Sequence, residues 1–74
     1  MTNTELLEEA IARSGYKKSF IAKAIGLKSA YGLAKKIRNE NEFKTSEVKK
    51  LCKLLNINTF EEIEKIFFNE KVDY

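Results

Sequence analysis

Seven positive charges and no acidic residue fall within the segment from Tyr16 to Arg38. Ammonium and guanidinium groups bind phosphate and carboxylate oxygens, so this segment favours contact with a polyanion or with an acidic protein surface. We call it the basic segment, and its positive residues are Lys17, Lys18, Lys23, Lys28, Lys35, Lys36 and Arg38.

The rest of the chain has the opposite charge balance. Residues 1–15 hold three Glu against one Arg, and residues 39–74 hold seven Glu and one Asp against six Lys. The formal net charge of +3 therefore comes entirely from the basic segment. Charge that is segregated in this way attracts a polyanion more strongly than scattered charge does.

The composition argues against several other kinds of site. The chain has no His and one Cys, which removes zinc ligation, a disulfide framework and the usual Ser/His or Cys/His nucleophiles. Its 74 residues have room for one small core, and a pocket for substrate and cofactor would consume most of it. We therefore expect a single domain over residues 1–74 that is not an enzyme and uses no metal, cofactor or small-molecule substrate.

The sequence has no pattern typical of export or membrane insertion. The first fourteen residues, MTNTELLEEAIARS, are acidic and amphipathic, unlike a signal peptide. No apolar run approaches the roughly 18 residues that a spanning helix needs, and a lone Cys suits a reducing compartment. We expect a cytoplasmic protein that makes no contact with a membrane.

The apolar residues follow the 3.6-residue period of α-helices, and the chain has no Pro. This pattern predicts an all-α fold of five helices. Helix 1 begins near Thr2 or Thr4 and stops at Gly15, with Leu6, Leu7, Ala10 and Ile11 facing inward. Helix 4 begins with Thr45 as its cap and helix 5 with Thr59, while residues 69–74 form a tail without a clear pattern. Helix 4 has a core face formed by Val48, Leu51, Cys52 and Leu55, and helix 5 carries the apolar residues Ile63, Ile66, Phe67 and Phe68.

The basic segment itself predicts two short helices that meet at a tight turn. Helix 2 covers about residues 18–25, with either Phe20 or Ile21 turned inward. Gly26 makes the turn, Leu27 plugs it, and Ser29 caps helix 3, which covers about residues 29–38. This is the general design of a helix-turn-helix DNA reader, in which helix 3 is the recognition helix.

The order of residues in these two helices resembles the phage Cro and repressor-type helix-turn-helix domains of the XRE-like superfamily, which have the lambda-repressor-like fold. The resemblance covers roughly residues 4–68, and it is closest to small regulators of temperate phages of Gram-positive bacteria through GLAKKIRNENEFKTSEV and the later IFF. It implies a transcriptional regulator that binds phage operator DNA in the lysogeny/lysis switch. The residues that carry it are Ala22, Gly26, Leu27, Leu33 and Ile37.

Under this interpretation, the first turn of helix 3 faces the major groove with Lys28, Ser29, Ala30 and Tyr31. Lys35, Lys36 and Arg38 divide between base edges and phosphates, while Lys17, Lys18 and Lys23 mainly hold phosphates. Six Lys and one Arg favour positioning over base discrimination, because only the guanidinium fork reads guanine bidentately. For Tyr31 two interpretations stay open: contact with a thymine methyl or sugar, or packing on the end of helix 2.

The sequence departs from the family pattern in ways that motivate an alternative function. Lys17 and Lys18 stand where relatives usually have a Ser or Thr cap and a Gln, and the span from Gly26 to Leu33 is one residue longer. The alternative is an antirepressor or modulator that binds a partner phage repressor through protein contacts.

Helix 5 has more large apolar residues than one short helix can bury in a small domain. The surplus predicts a surface that a second copy or a partner covers, formed by Phe60, Ile63, Phe67 and Phe68. A homodimer would suit an operator with two half-sites. The alternative is a loosely covered core with an exposed Phe68. We interpret Cys52 as a buried apolar residue.

Overall fold

A computed structural model describes residues 1–69, and within them every regular element is an α-helix. The helices are α1 (Thr4–Ser14), α2 (Lys18–Ala24), α3 (Ala30–Ile37), α4 (Thr45–Leu54) and α5 (Phe60–Phe67). The predicted all-α, five-helix fold is confirmed. Of the predicted tail, only Asn69 belongs to the described residues, and its N–H donates to the Met1 carbonyl at 3.1 Å.

The beginning of α1 differs from the prediction by its capping residue. Asn3, and not Thr2 or Thr4, is the N-cap, and its side-chain oxygen accepts a hydrogen bond from the Leu6 N–H at 3.1 Å. The hydroxyl of Thr4 instead donates to the Ile37 carbonyl at 2.6 Å, which ties α1 to the end of α3. Gly15 ends the helix as predicted, in the left-handed conformation with φ of 76°.

The later helices begin by two different means. Lys44 is the N-cap of α4, so Thr45 is the first helical residue and not the cap. Lys44 has no side-chain acceptor to offer, and its own N–H donates to the Glu47 carboxylate at 2.9 Å. Thr59 caps α5 as predicted, because its hydroxyl oxygen accepts the Glu62 N–H at 3.2 Å.

The helix α2 packs against α3 and α4, while α1 packs against α3 and α5, and the buried side chains of all five helices form one core. Ile21 is buried and Phe20 is half-exposed, which decides the alternative that the sequence left open. Leu6 and Val48 are only partly buried, while Cys52 is buried as predicted, and burial raises the pKa of its thiol. The fully buried large side chains are Leu7, Ile21, Leu33, Ile37 and Leu51.

The first residues of the chain link the end of α3 to α5. Asn39 has a left-handed backbone with φ of 66°. Its side-chain oxygen accepts the Thr2 N–H, and its amide donates to the Thr2 carbonyl, each at 2.9 Å. The Asn3 N–H donates to the Ile66 carbonyl at 2.6 Å. These bonds, which we call the terminal clasp, hold three separate segments together.

Candidate nucleic-acid interface

The turn between α2 and α3 has the geometry that the glycine in the sequence predicts. Gly26 has φ of 93°, a conformation that costs a residue with a side chain about 1–2 kcal/mol. The Leu27 N–H then donates to the Ala22 carbonyl at 2.8 Å, and its side chain packs partly buried against the core. The two helices are therefore joined by a turn that is anchored at both of its ends.

The helix α3 is one residue shorter at each end than the predicted span of 29–38. Ser29 is the N-cap in an extended conformation, and its hydroxyl oxygen accepts the Gly32 N–H at 3.4 Å. Arg38 is the C-cap, and helix 2 likewise ends one residue early, at Ala24. Leu33 and Ile37 are buried, so the opposite face of α3 points away from the core.

The first turn of α3 presents its side chains to solvent. Lys28 and Ser29 are exposed, Ala30 is half-buried, and Tyr31 is 68% exposed. The ammonium of Lys35 lies 5.3 Å from the centre of the Tyr31 ring, within the range of a cation–π contact. This exposure does not fit the interpretation that Tyr31 packs on the end of α2.

The beginning of α2 is open and positively charged. Lys17 is the N-cap without a side-chain hydrogen bond, as expected where the usual capping residue is replaced. The ammonium of Lys18 lies 2.9 Å from a Glu8 carboxylate oxygen of α1, and both side chains are 43% exposed. Within residues 1–69, neither Lys17 nor Lys23 forms an ion pair.

The end of α3 corrects one predicted contact residue. The structure places the Lys36 ammonium 2.5 Å from Glu47 of α4, with side chains only 11% and 8% exposed. Lys36 therefore faces the junction between α3 and α4, where a buried carboxylate holds it. It does not lie on the outer face of α3, which carries Tyr31 and Lys35. Arg38 pairs with Glu40 at 2.7 Å, but this pair is exposed and its guanidinium can exchange partners.

Opposing effects act on the pKa of Glu47. Burial alone would raise it, but the hydrogen bonds from Lys36 and from the Lys44 N–H, together with the charges of both lysines, lower it. The net result is a pKa below the ordinary value of 4.5. The carboxylate is therefore ionised at neutral pH and is a full charge partner for Lys36.

A second surface, around α5, contains most of the predicted partner residues. Phe60 is 74% exposed and Phe68 is 59% exposed, while Ile63 is partly buried. Phe67 is a correction, because it is buried at 5% exposure and its ring meets Phe43 edge-on at 5.8 Å between centres. Between α4 and α5 lies an apolar groove of about 370 Å³, lined by Phe43, Thr45, Val48, Lys49, Cys52, Ile63 and Phe68.

An exposed aromatic pair at the beginning of the basic segment is absent from the predicted site residues. Tyr16 and Phe20 are 43% and 51% exposed, and their rings lie 5.1 Å apart at the junction of α1 and α2. Sequence periodicity could have found it, since Ile21 and Ile25 are four residues apart and both face the core. Their phase turns Phe20 outward.

Comparisons with known proteins find no match to this chain among protein-family models, curated proteins or solved structures. Among residues 1–69 there is also no group of three His, Cys, Asp or Glu side chains that could hold a metal ion. None of the helices in the described part of the chain is both long and apolar enough to cross a membrane.

Proposed function

We propose that the protein is a sequence-specific DNA-binding transcriptional regulator of the phage Cro or repressor type, which acts on operator DNA in the lysogeny/lysis switch. The observation that carries this proposal is the exposed first turn of α3, with Lys28, Ser29 and Tyr31 open to solvent. It follows a turn built on Gly26, and no carboxylate occurs between residues 16 and 38. A helix presented in this way fits the major groove.

The exposed residues divide by the chemistry they offer to DNA. Tyr31 and Ser29 would contact base edges or sugars, with Lys28 beside them. Lys17 and Lys23 would hold phosphates, since neither has a competing carboxylate in residues 1–69. Lys18 and Arg38 would exchange their exposed acidic partners for phosphate, which costs little for pairs of this kind.

We also propose that the regulator binds DNA as a homodimer. Its operator would then have two half-sites about one helical turn apart. The exposed Phe60 and Phe68, beside the apolar groove between α4 and α5, supply surface that a second copy would bury. We propose Phe60, Ile63 and Phe68 as the dimer contact residues and leave out Phe67, because its side chain is buried.

The test is retardation of the intergenic DNA upstream of the protein's own gene. We expect binding at low salt and a steep, linear loss of log affinity with log salt concentration, because phosphate contacts release counterions. Lys28→Glu with Lys35→Glu should abolish binding, whereas Lys50→Glu with Lys53→Glu makes the same charge change on exposed residues of α4 and should weaken it far less. Absence of retardation by the wild type at low salt would refute the proposal.

A second candidate function is a modulator that binds a partner phage repressor. The observation that favours it is the number of exposed aromatic side chains outside α3, namely Tyr16, Phe20, Phe60 and Phe68, since aromatic residues are enriched in protein interfaces. Co-purification with the repressor encoded next to this gene, combined with no retardation of DNA by the protein alone, would favour this function over the first. Failure to co-purify would count against it.

A further inference from the structure

The ion pair between Lys36 and Glu47 is the shortest and most enclosed of those within residues 1–69. Its ammonium and carboxylate oxygen are 2.5 Å apart, and the side chains are 11% and 8% exposed. The other two pairs in this part of the chain have side chains that are at least 43% exposed. This pair joins the last turn of α3 to the first turn of α4.

Glu47 is a fixed partner because it is held from a second side. The same carboxylate oxygen that contacts Lys36 accepts the Lys44 N–H at 2.9 Å, at the beginning of α4. Glu47 cannot turn away without leaving that N–H unpaired. A buried carboxylate that loses its cation is costly, so Lys36 is held at one place relative to α4.

The remaining anchors of α3 are mainly apolar. Leu33 and Ile37 are buried on one face, and apolar contacts resist separation more than small rotations or slides. A hydrogen-bonded ion pair is directional and therefore fixes the position of the helix more closely. Because α3 is one helix, fixing its last turn also fixes the exposed residues of its first turn.

We propose that Lys36 and Glu47 position the recognition helix for DNA contact, and that Lys36 itself touches neither phosphate nor base. This inference rests on the proposed DNA-binding function. The charge of Lys36 suggests a contact with DNA on the surface, but its ammonium instead pairs with Glu47 in the interior, between α3 and α4. Lys35, its neighbour, is free of carboxylates within residues 1–69 and remains a phosphate contact.

The test uses four variants in DNA binding over a range of salt concentrations. They are Lys36→Met, Glu47→Gln, the double variant of both, and Lys35→Met as the matched control. Gln at position 47 keeps an acceptor for the Lys44 N–H, and the double variant leaves no buried charge. Binding is compared per folded molecule, with the folded fraction taken from circular dichroism.

A positioning role predicts a characteristic pattern. Lys36→Met should weaken binding about tenfold with an unchanged salt slope, and the double variant should bind about as weakly as Lys36→Met, because it also lacks the directional pair. Glu47→Gln should also weaken binding, although removal of a negative charge by itself would strengthen it. Lys35→Met should reduce the salt slope by about 0.9, the value for one lost phosphate contact.

Two results would overturn the inference. One is a reduced salt slope for Lys36→Met, equal to that of Lys35→Met, and the other is a double variant that binds as tightly as the wild type. The double variant decides the matter if Glu47→Gln fails to fold, since it carries no unpaired buried charge.

Failure of the proposed function itself would appear differently, as a wild type that binds no DNA. Amide hydrogen exchange without DNA then decides the inference. Positioning predicts faster exchange in the last turn of α3 for Lys36→Met and for the double variant. Unchanged exchange there would overturn it.

Discussion

At the scale of single residues, Glu47 is the most deeply buried acidic side chain within residues 1–69. It is 6% exposed, and its pKa lies below the ordinary 4.5 because the contacts with Lys36 and the Lys44 N–H outweigh burial. A carboxyl with a lowered pKa in the folded state stabilises the fold above its unfolded-state pKa. That stabilisation is lost as pH falls through the folded-state value.

We therefore predict that the free energy of unfolding falls as pH decreases below about 4.5 and that Glu47→Gln removes part of this dependence. At neutral pH the variant should be less stable by about 2 kcal/mol, because Lys36 loses its charged partner. Urea unfolding between roughly pH 3 and pH 7 measures both effects. Glu9→Gln, at an exposed site on α1, is the control and should leave the pH dependence unchanged. An equal pH dependence in wild type and Glu47→Gln would contradict the assignment.

At the scale of elements, the two short helices of the basic segment depend on one backbone conformation. Gly26 has φ of 93°, and a Cβ placed there would meet no atom within 4 Å. We predict that Gly26→Ala lowers the free energy of unfolding by about 1–2 kcal/mol, because the conformation itself is strained for a residue with a side chain.

Gly32 provides the opposite control in the same motif. It lies inside α3 with helical geometry, and a Cβ there would also meet nothing within 4 Å. Gly32→Ala should stabilise the protein by about 0.5–1 kcal/mol, because Ala is the better helix former. Thermal unfolding of the two variants compares them directly, and a destabilising Gly32→Ala or a neutral Gly26→Ala would argue against this account of the turn.

The helices could be predicted from the sequence because the spacing of apolar residues and the residues that begin or end a helix are local features. Gly15, Gly26, Ser29 and Thr59 each carried a boundary signal that the structure bears out. The predicted Thr45 cap of α4 is wrong because the helix begins one residue earlier, with Lys44 as its N-cap, and the Lys44 N–H donates to the Glu47 carboxylate.

Side-chain partners could not be predicted in the same way, because they depend on how helices meet. Helical periodicity places Lys36, three residues after Leu33, nearer the core face than Lys35. It does not show that Lys36 meets Glu47 of α4 or that Lys35 lies over Tyr31. Phe67 and Phe68 are adjacent and equally apolar, but only Phe67 turns toward Phe43 and the core. Periodicity gives a face for each helix, and the tertiary contacts decide which edge of that face is covered.

At the scale of the whole molecule, the exposed apolar surface at α5 predicts self-association. Replacing both Phe60 and Phe68 by Ser should shift the protein toward the monomer in sedimentation velocity, since the two are the most exposed Phe side chains in residues 1–69. Their loss should leave the unfolding of the monomer nearly unchanged, because neither belongs to the buried core. The affinity for operator DNA should also fall, because the proposed binding form is the dimer.

The matched control is Phe20→Ser, which removes a Phe of similar exposure, 51%, from α2. It should leave the sedimentation of the protein unchanged. A wild type that sediments as a monomer at all accessible concentrations, or an equal effect of Phe20→Ser, would reject the α5 surface as the dimer contact.

The terminal clasp has a consequence for how the chain folds. Its bonds join residues that are far apart in sequence, between Thr2 and Asn39 and between Asn3 and Ile66. Contacts of such separation carry a large loop-closure entropy and form after local ones, whereas α2 and α3 are joined by a turn of a few residues. We expect the helical hairpin of the basic segment to assemble early and the clasp to close last. The clasp would also open first, releasing the end of α3 and the end of α5 in a single event.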